Sequence, residues 1–246
     1  MAELYSIFSR HYESVSFEQF SNDFYEKDFV VLLRDPIQQA VCGFSTVAIF
    51  EQVVCSQKIR LVYSGDTIID PRYWGGQALV KAWCHLAGQI KALRREVPLY
   101  WLLISKGYRT YLYLPLFSYR FYPSHDCEVP SFEKEIIRDF GRFKFGSWFN
   151  ELLGVVSFPE SRGHLRAELA DVPDRRVQNP HVAFFLRANP QYRNGDELVC
   201  ITRLDEANMR SLARRYFLVG MKALDGHTSE QAPFSPNLDL IESFTT

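Results

Sequence analysis

The segment from Arg60 to Ser105 restricts the fold more than any other part of the chain. A β-branched run, "RLVYSGDTII", leads into Asp70-Pro71 and then into the adjacent glycines Gly75 and Gly76. Leu79, Trp83, Leu86, Ile90 and Leu93 follow at spacings of four, three, four and three, which is one face of an α-helix. Lys91, Arg94 and Arg95 crowd its last turn, where cations favour the negative end of the helix dipole, and Pro98 closes it. "LYWLLIS" (Leu99 to Ser105) is then a buried strand. A strand–helix–strand connection of this length predicts a parallel crossover.

The flanks predict the rest of an α+β fold. "SIFSRHYESV" and "SFEQFSNDFYEKD" are amphipathic helices, the second with Ser16 as N-cap and Gln19 in the capping-box position. Phe29 to Asp35 and Gln38 to Gln52 are strands of an antiparallel hairpin, with Gly43 marking a bulge, and "KIRLVYSGDTIID" is a third strand. "YRTYLYLPLFSYRFYP" predicts a helix kinked near Pro115 and stopped at Pro123. Further on, "SFEKEIIRDFGRF" and "SWFNELLGVV" read as helices, the following stretch to Pro180 as a polar loop, "HVAFFLRA" and "ELVCITRL" as strands, and "DEANMRSLARRYFLVGMKAL" as a late helix. The tail after Asp225 carries few large apolar residues, a composition that favours disorder.

Composition narrows the function. A formal net charge of −1 offers no electrostatic footprint for nucleic acid or a membrane surface. The five cysteines form no CxxC pair, so reduced thiols in a cytoplasmic protein are expected. No apolar run approaches the ~20 residues of a membrane span, and the six histidines show no metal-ligand spacing.

A strand that enters a helix through glycines presents backbone N–H groups at the positive end of the dipole, an anion site that a Cβ would obstruct. The same glycines serve equally as a tight turn that binds nothing. Neither the Walker A pattern nor G-x-G-x-x-G is present. The element order and the turn "YWGGQA" (Tyr73 to Ala78) resemble the GNAT superfamily of acyl-coenzyme A-dependent N-acyltransferases. The resemblance covers about residues 1–125, and extends to 181–204 if those segments close the sheet. It implies a mixed, mainly antiparallel sheet flanked by helices, in one domain over 1–224: an acyl-CoA-binding core (1–125), an insertion (126–180), and closing strands and helix (181–224).

The family grips the coenzyme pyrophosphate with Gln/Arg-x-x-Gly-x-Gly/Ala. Gly76 and Ala78 fill the small slots here, Tyr73 replaces the Gln/Arg, and Arg72 stands one position earlier to supply the charge. The resemblance assigns the pyrophosphate to the amides of Gly75, Gly76, Gln77 and Ala78, and the pantetheine arm to the backbone of Ile68 and Ile69. The co-substrate would be acetyl-CoA or a longer acyl-CoA, with no metal, and the acceptor a small-molecule or peptide amine.

Asp66 lies mid-strand, where alternation places it with Ser64 and Ile68 on one face. Partly desolvated, it would serve as the base for the amine; the alternative is a bulge carboxylate beside Gly65. The family's general-acid tyrosine falls in "FSYRFYP", with Ser118 in its slot and Tyr119 next to it. The basic stretch 91–120 reads as a dock for the coenzyme's 3′-phosphate or for an acyl carrier protein, or as a solvated face. The missing tyrosine leaves open a module that binds acyl-CoA without turnover.

Overall fold

A computed structural model describes residues 1–158 and 162–224 in full and residues 239–244 as backbone. Its centre is a mixed, mostly antiparallel sheet. Strands β2 (Phe29–Arg34), β3 (Val41–Val54) and β4 (Gln57–Ile69) form the antiparallel meander that the alternating patterns predict. From β4 the chain crosses through α3 (Ala78–Ala92) to β5 (Leu99–Ser105), which lies parallel to β4. Strand β9 (Glu197–Arg203) runs antiparallel to β5.

Helices cover both faces. On one side α3 buries Leu79, Val80, Trp83, Leu86 and Ile90 against Val31, Val62 and Trp101 of the sheet. There it crosses α10 (Ser211–Ala223), and the backbones touch at a pair of glycines. A Cβ on Gly88 would lie 2.0 Å from the Phe217 carbonyl oxygen, and one on Gly220 would lie 1.9 Å from that of His85. On the opposite side pack α1 (Ala2–Phe8), α2 (Phe17–Tyr25) and α6 (Ser131–Phe145). Ser16 caps α2 as predicted, its Oγ accepting from the Gln19 amide at 3.1 Å.

Several predicted elements differ. The stretch up to Pro180, predicted as a polar loop, holds two short helices, α7 (Ala167–Ala170) and α8 (Asp174–Val177). The first helix ends at Phe8, and the chain turns into a two-residue strand, β1 (Tyr12–Glu13), paired with β8 (His164–Leu165). The segment 147–156 is not a helix. Asn150 Oδ1 accepts from the amides of Leu152 and Leu153, and Gly154 adopts φ +65°, folding β6 (Phe149–Asn150) back on β7 (Val155–Val156). Residues 181–188 form not a closing strand but α9 (Pro180–Ala188). Asn179 Oδ1 accepts from the amides of His181 and Val182, and Pro180 sits at the first helical position, so local capping overrides the apolar run. The kinked helix predicted across Pro115 consists of two short pieces, α4 (Tyr108–Tyr111) and α5 (Tyr113–Phe117), ending before Ser118.

Strand β7 pairs with β9, and β10 (Asp239–Phe244) pairs in parallel with β2, which places part of the tail predicted to be disordered in the sheet. The remainder of that tail, 225–238 and 245–246, lies outside the described residues.

Candidate functional site

Two features of β4 shape the site. Between the pairs Val47↔Ser64 and Ser45↔Thr67, β3 contributes one residue and β4 contributes two, Gly65 and Asp66. This bulge reverses the alternation. The Ser64 hydroxyl accepts from Trp101 Nε1 (2.9 Å) on the α3 face, whereas Asp66 points with Tyr63 to the α1/α2/α6 face. The expectation that Ser64 and Asp66 share a face is therefore corrected, while Ile68 does lie on the Asp66 side, packed among α1 and α2. The second feature is a divergence. Pairing between β4 and β5 ends at Ser64↔Leu103, so Gly65 to Ile69 have no β5 partner, and β5 goes on to pair with β9 through Ser105.

Concavities flank this freed end of β4. The larger, of about 310 Å³, is lined by aromatic rings, among them Tyr12, Phe20, Tyr63 and Trp148, and by eight ionisable side chains of both signs. Asp66 sits there half-buried, with no hydrogen bond or ion pair to its carboxylate among the described residues. Burial raises its pKa to about 6, against the pull of Lys27 and Lys106. A carboxylate so placed ionises just below neutrality and accepts a proton from an amine held beside it.

Glu197, at the start of β9, is buried and pairs with Lys106 at 3.1 Å. Burial raises the Glu197 pKa, and Lys106 opposes the rise. Lys144 and Glu26 pair nearer the rim. Lys27 lies over the bulge, where a Cβ on Gly65 would come within 2.7 Å of its Cε. Burial lowers the pKa of Lys27, while Asp66 and Asp23 hold it up. No sequence pattern marks Tyr12, Lys27 or Glu197 as site residues, and Lys106 is marked only as one cation of the basic stretch 91–120. They come from four separate elements or turns, and only the fold brings them together.

The smaller concavity, about 230 Å³, opens at the mouth of α3 between Leu33, Ile69, Arg72, Tyr73, Trp74 and residues 76–79. Helix α3 has no side-chain cap. The amides of Gly75, Gln77 and Ala78 find no acceptor among the described residues, while that of Gly76 donates to the Tyr73 carbonyl at 3.3 Å. Gly75 adopts φ +86°, and a Cβ placed there would meet no atom within 4 Å, so the turn is open where the glycine stands. Arg72 is committed to Asp70 (Nε–Oδ1 3.0 Å, Nη2–Oδ2 2.9 Å), and Tyr73 donates its hydroxyl to Asp35. Ile68 pairs with Phe44 on β3. The Ile69 carbonyl already accepts from Trp74 Nε1 (2.7 Å) and faces His11 Nε2 at 3.2 Å.

Neither candidate acid lies with Asp66. Tyr119 is exposed in a separate groove beside α10, its ring under the Arg210 guanidinium at 4.8 Å. Ser118 is fully buried where the chain bridges to Met209, its Oγ without a partner among the described residues. The chain leaves α5 at Phe117 in extended form, which turns Ser118 inward and Tyr119 outward. The basic stretch also disperses. Lys91 donates to carbonyls at the end of α3, Lys106 enters the large pocket, and Arg109 stacks 4.8 Å from the Trp74 ring near the start of α3. The ends of a fifteen-residue helix lie roughly 20 Å apart, so these cations form no single face.

Among the described residues no group of three or more His, Cys, Asp or Glu is arranged to hold a metal ion, and no helix is long and apolar enough to cross a membrane. Compared with known families, with curated proteins and with solved structures, the chain gives no match.

Proposed function

We propose that the protein is a GNAT-like N-acyltransferase that moves an acyl group from acyl-coenzyme A to an amine. The observation that carries this reading is the divergence of β4 from β5 after Ser64↔Leu103, between an uncapped helix mouth and a pocket with Asp66 in it. The coenzyme diphosphate lies at the mouth of α3 against the free amides of Gly75, Gln77 and Ala78, and the pantetheine arm enters the gap between the strands. The thioester then reaches the large pocket from its sheet side.

The bound amine gives a proton to Asp66, and its nitrogen lone pair attacks the thioester carbonyl carbon. The C–N bond forms, the C–S bond breaks, and the coenzyme leaves as thiolate, which takes up a proton. No covalent acyl-enzyme is required. With Tyr119 and Ser118 elsewhere, Tyr12 and Tyr63 are the phenols that line the pocket with Asp66. Burial raises the pKa of both, which keeps them protonated donors. Calorimetry with acetyl-CoA, a long-chain acyl-CoA and free coenzyme A tests the reading. All three should bind at one site, and absence of binding by all three rejects it.

A further inference from the structure

The charges in the large pocket divide unequally. Glu197 is neutralised by Lys106 and Glu26 by Lys144. Arg162 stacks on Trp148 and Phe158 at 4.6 and 4.9 Å. Asp23, Asp66 and Lys27 remain, with Lys27 lying over the β4 bulge that carries Asp66 and opposite to both carboxylates in sign. The Lys27 ammonium donates to the Asp23 carbonyl, and no carboxylate oxygen lies within 4.0 Å of it among the described residues. Other charges near it are Asp23, Glu26 and Lys144. An ammonium has three N–H donors, so two are left for something in the pocket. Asp66 likewise has all its acceptor positions free. The attraction between Lys27 and Asp66 offsets only part of the cost of their partial desolvation, which lowers the pKa of one and raises that of the other.

We propose that the acceptor is a zwitterion, a free amino acid with an apolar side chain, held with its carboxylate on Lys27 and its amine on Asp66. This rests on the acyltransferase reading and names its substrate class. A plain amine leaves Lys27 unanswered and a plain acid leaves Asp66 unanswered, whereas a zwitterion answers both. The space of about 310 Å³ admits such a molecule, and the rings of Phe8, Phe20, Phe145 and Trp148 receive its side chain. The product is an N-acyl amino acid: the amine proton passes to Asp66, nitrogen bonds to the acyl carbon of acyl-CoA, and the coenzyme thiol departs.

Calorimetry on the full chain, with and without coenzyme A, tests this with each of the twenty standard amino acids beside its matched amine and matched carboxylic acid. At least one amino acid with an apolar side chain should bind about tenfold or more tightly than both of its partners, as expected for one additional charge-assisted hydrogen bond. Lys27→Met should bring the ratio of amino acid to matched amine to within about threefold, and Asp66→Asn should do the same for the ratio to matched acid. If no amino acid binds, or if the ratios are near one in the unmutated protein, the inference is overturned. Coenzyme A binding without amino acid binding sinks the zwitterion alone; amino acid binding without coenzyme A binding sinks the acyltransferase.

Discussion

Replacing Asp66 with Asn removes a charge that the fold holds at a cost. In an unfolded chain its carboxyl ionises near 3.8, and in the folded protein burial raises that value to about 6. Below pH 3.8 the group is neutral in both states and contributes no penalty. As pH rises towards 6, the unfolded chain loses the proton that the folded chain retains, so stability falls, and above 6 the penalty is constant. A difference of about two pH units at 1.36 kcal/mol each is about 3 kcal/mol. Asp66→Asn should therefore be more stable than the unmutated protein at pH 8 by up to about 3 kcal/mol, or ~6–12 °C in Tm for a chain of this size. The advantage should shrink through pH 5 and vanish near pH 4. Urea denaturation of both proteins at pH 4, 5, 6 and 8 measures it. A stability difference of the same size at every pH, or an unmutated protein that is the more stable at pH 8, refutes the claim that Asp66 is held desolvated. The same variant should lose turnover far more than coenzyme binding, the combination expected where a site carries functional strain.

Gly88→Ala should cost about 3 kcal/mol in urea denaturation, because its methyl meets the Phe217 carbonyl, and an unaltered midpoint would mean that α3 and α10 do not touch through backbone. Gly76→Asp should weaken coenzyme A binding about tenfold or more by calorimetry, by placing a carboxylate at the helix mouth, with an unchanged circular dichroism spectrum. Equal affinity would remove the turn from the site. Lys106→Met should destabilise by about 3 kcal/mol at pH 8, since Glu197 is then buried without its ion-pair partner, and by less at pH 5, where Glu197 is more readily protonated. A loss that is the same at both pH values would place the effect in packing.

Where the sequence was legible, local chemistry and tertiary packing agreed. The β2–β3–β4 meander, the Ser16 cap, α3 and the parallel crossover all follow from periodicity and caps. The apolar run at 181–188 misled because Phe184 and Phe185 suit either period, while the cap signal Asn179-Pro180 was present and decisive. Asp66 was identifiable as a strand carboxylate, but its direction was not. A single extra residue at Gly65–Asp66 moves it to the other face of the sheet; Gly65 offered that bulge as an alternative, but alternation alone did not choose between the two. The partners of Asp66 were hidden for another reason. Tyr12, Lys27, Lys106 and Glu197 are far apart in the chain, and each looks locally like an ordinary surface or strand-end residue. Similarly, "SYRF" resembled a helix end until the extended backbone at Ser118 separated Tyr119 from the pocket.

The most direct test is a crystal structure of the protein with coenzyme A bound. The diphosphate should lie within hydrogen-bonding distance of the amides of Gly75, Gln77 and Ala78, and the pantetheine arm between Gly65–Ile69 and the end of β5, with its sulfur facing Asp66. A coenzyme bound anywhere else, or a gap between those strands closed by the protein's own side chains, would contradict the proposed function.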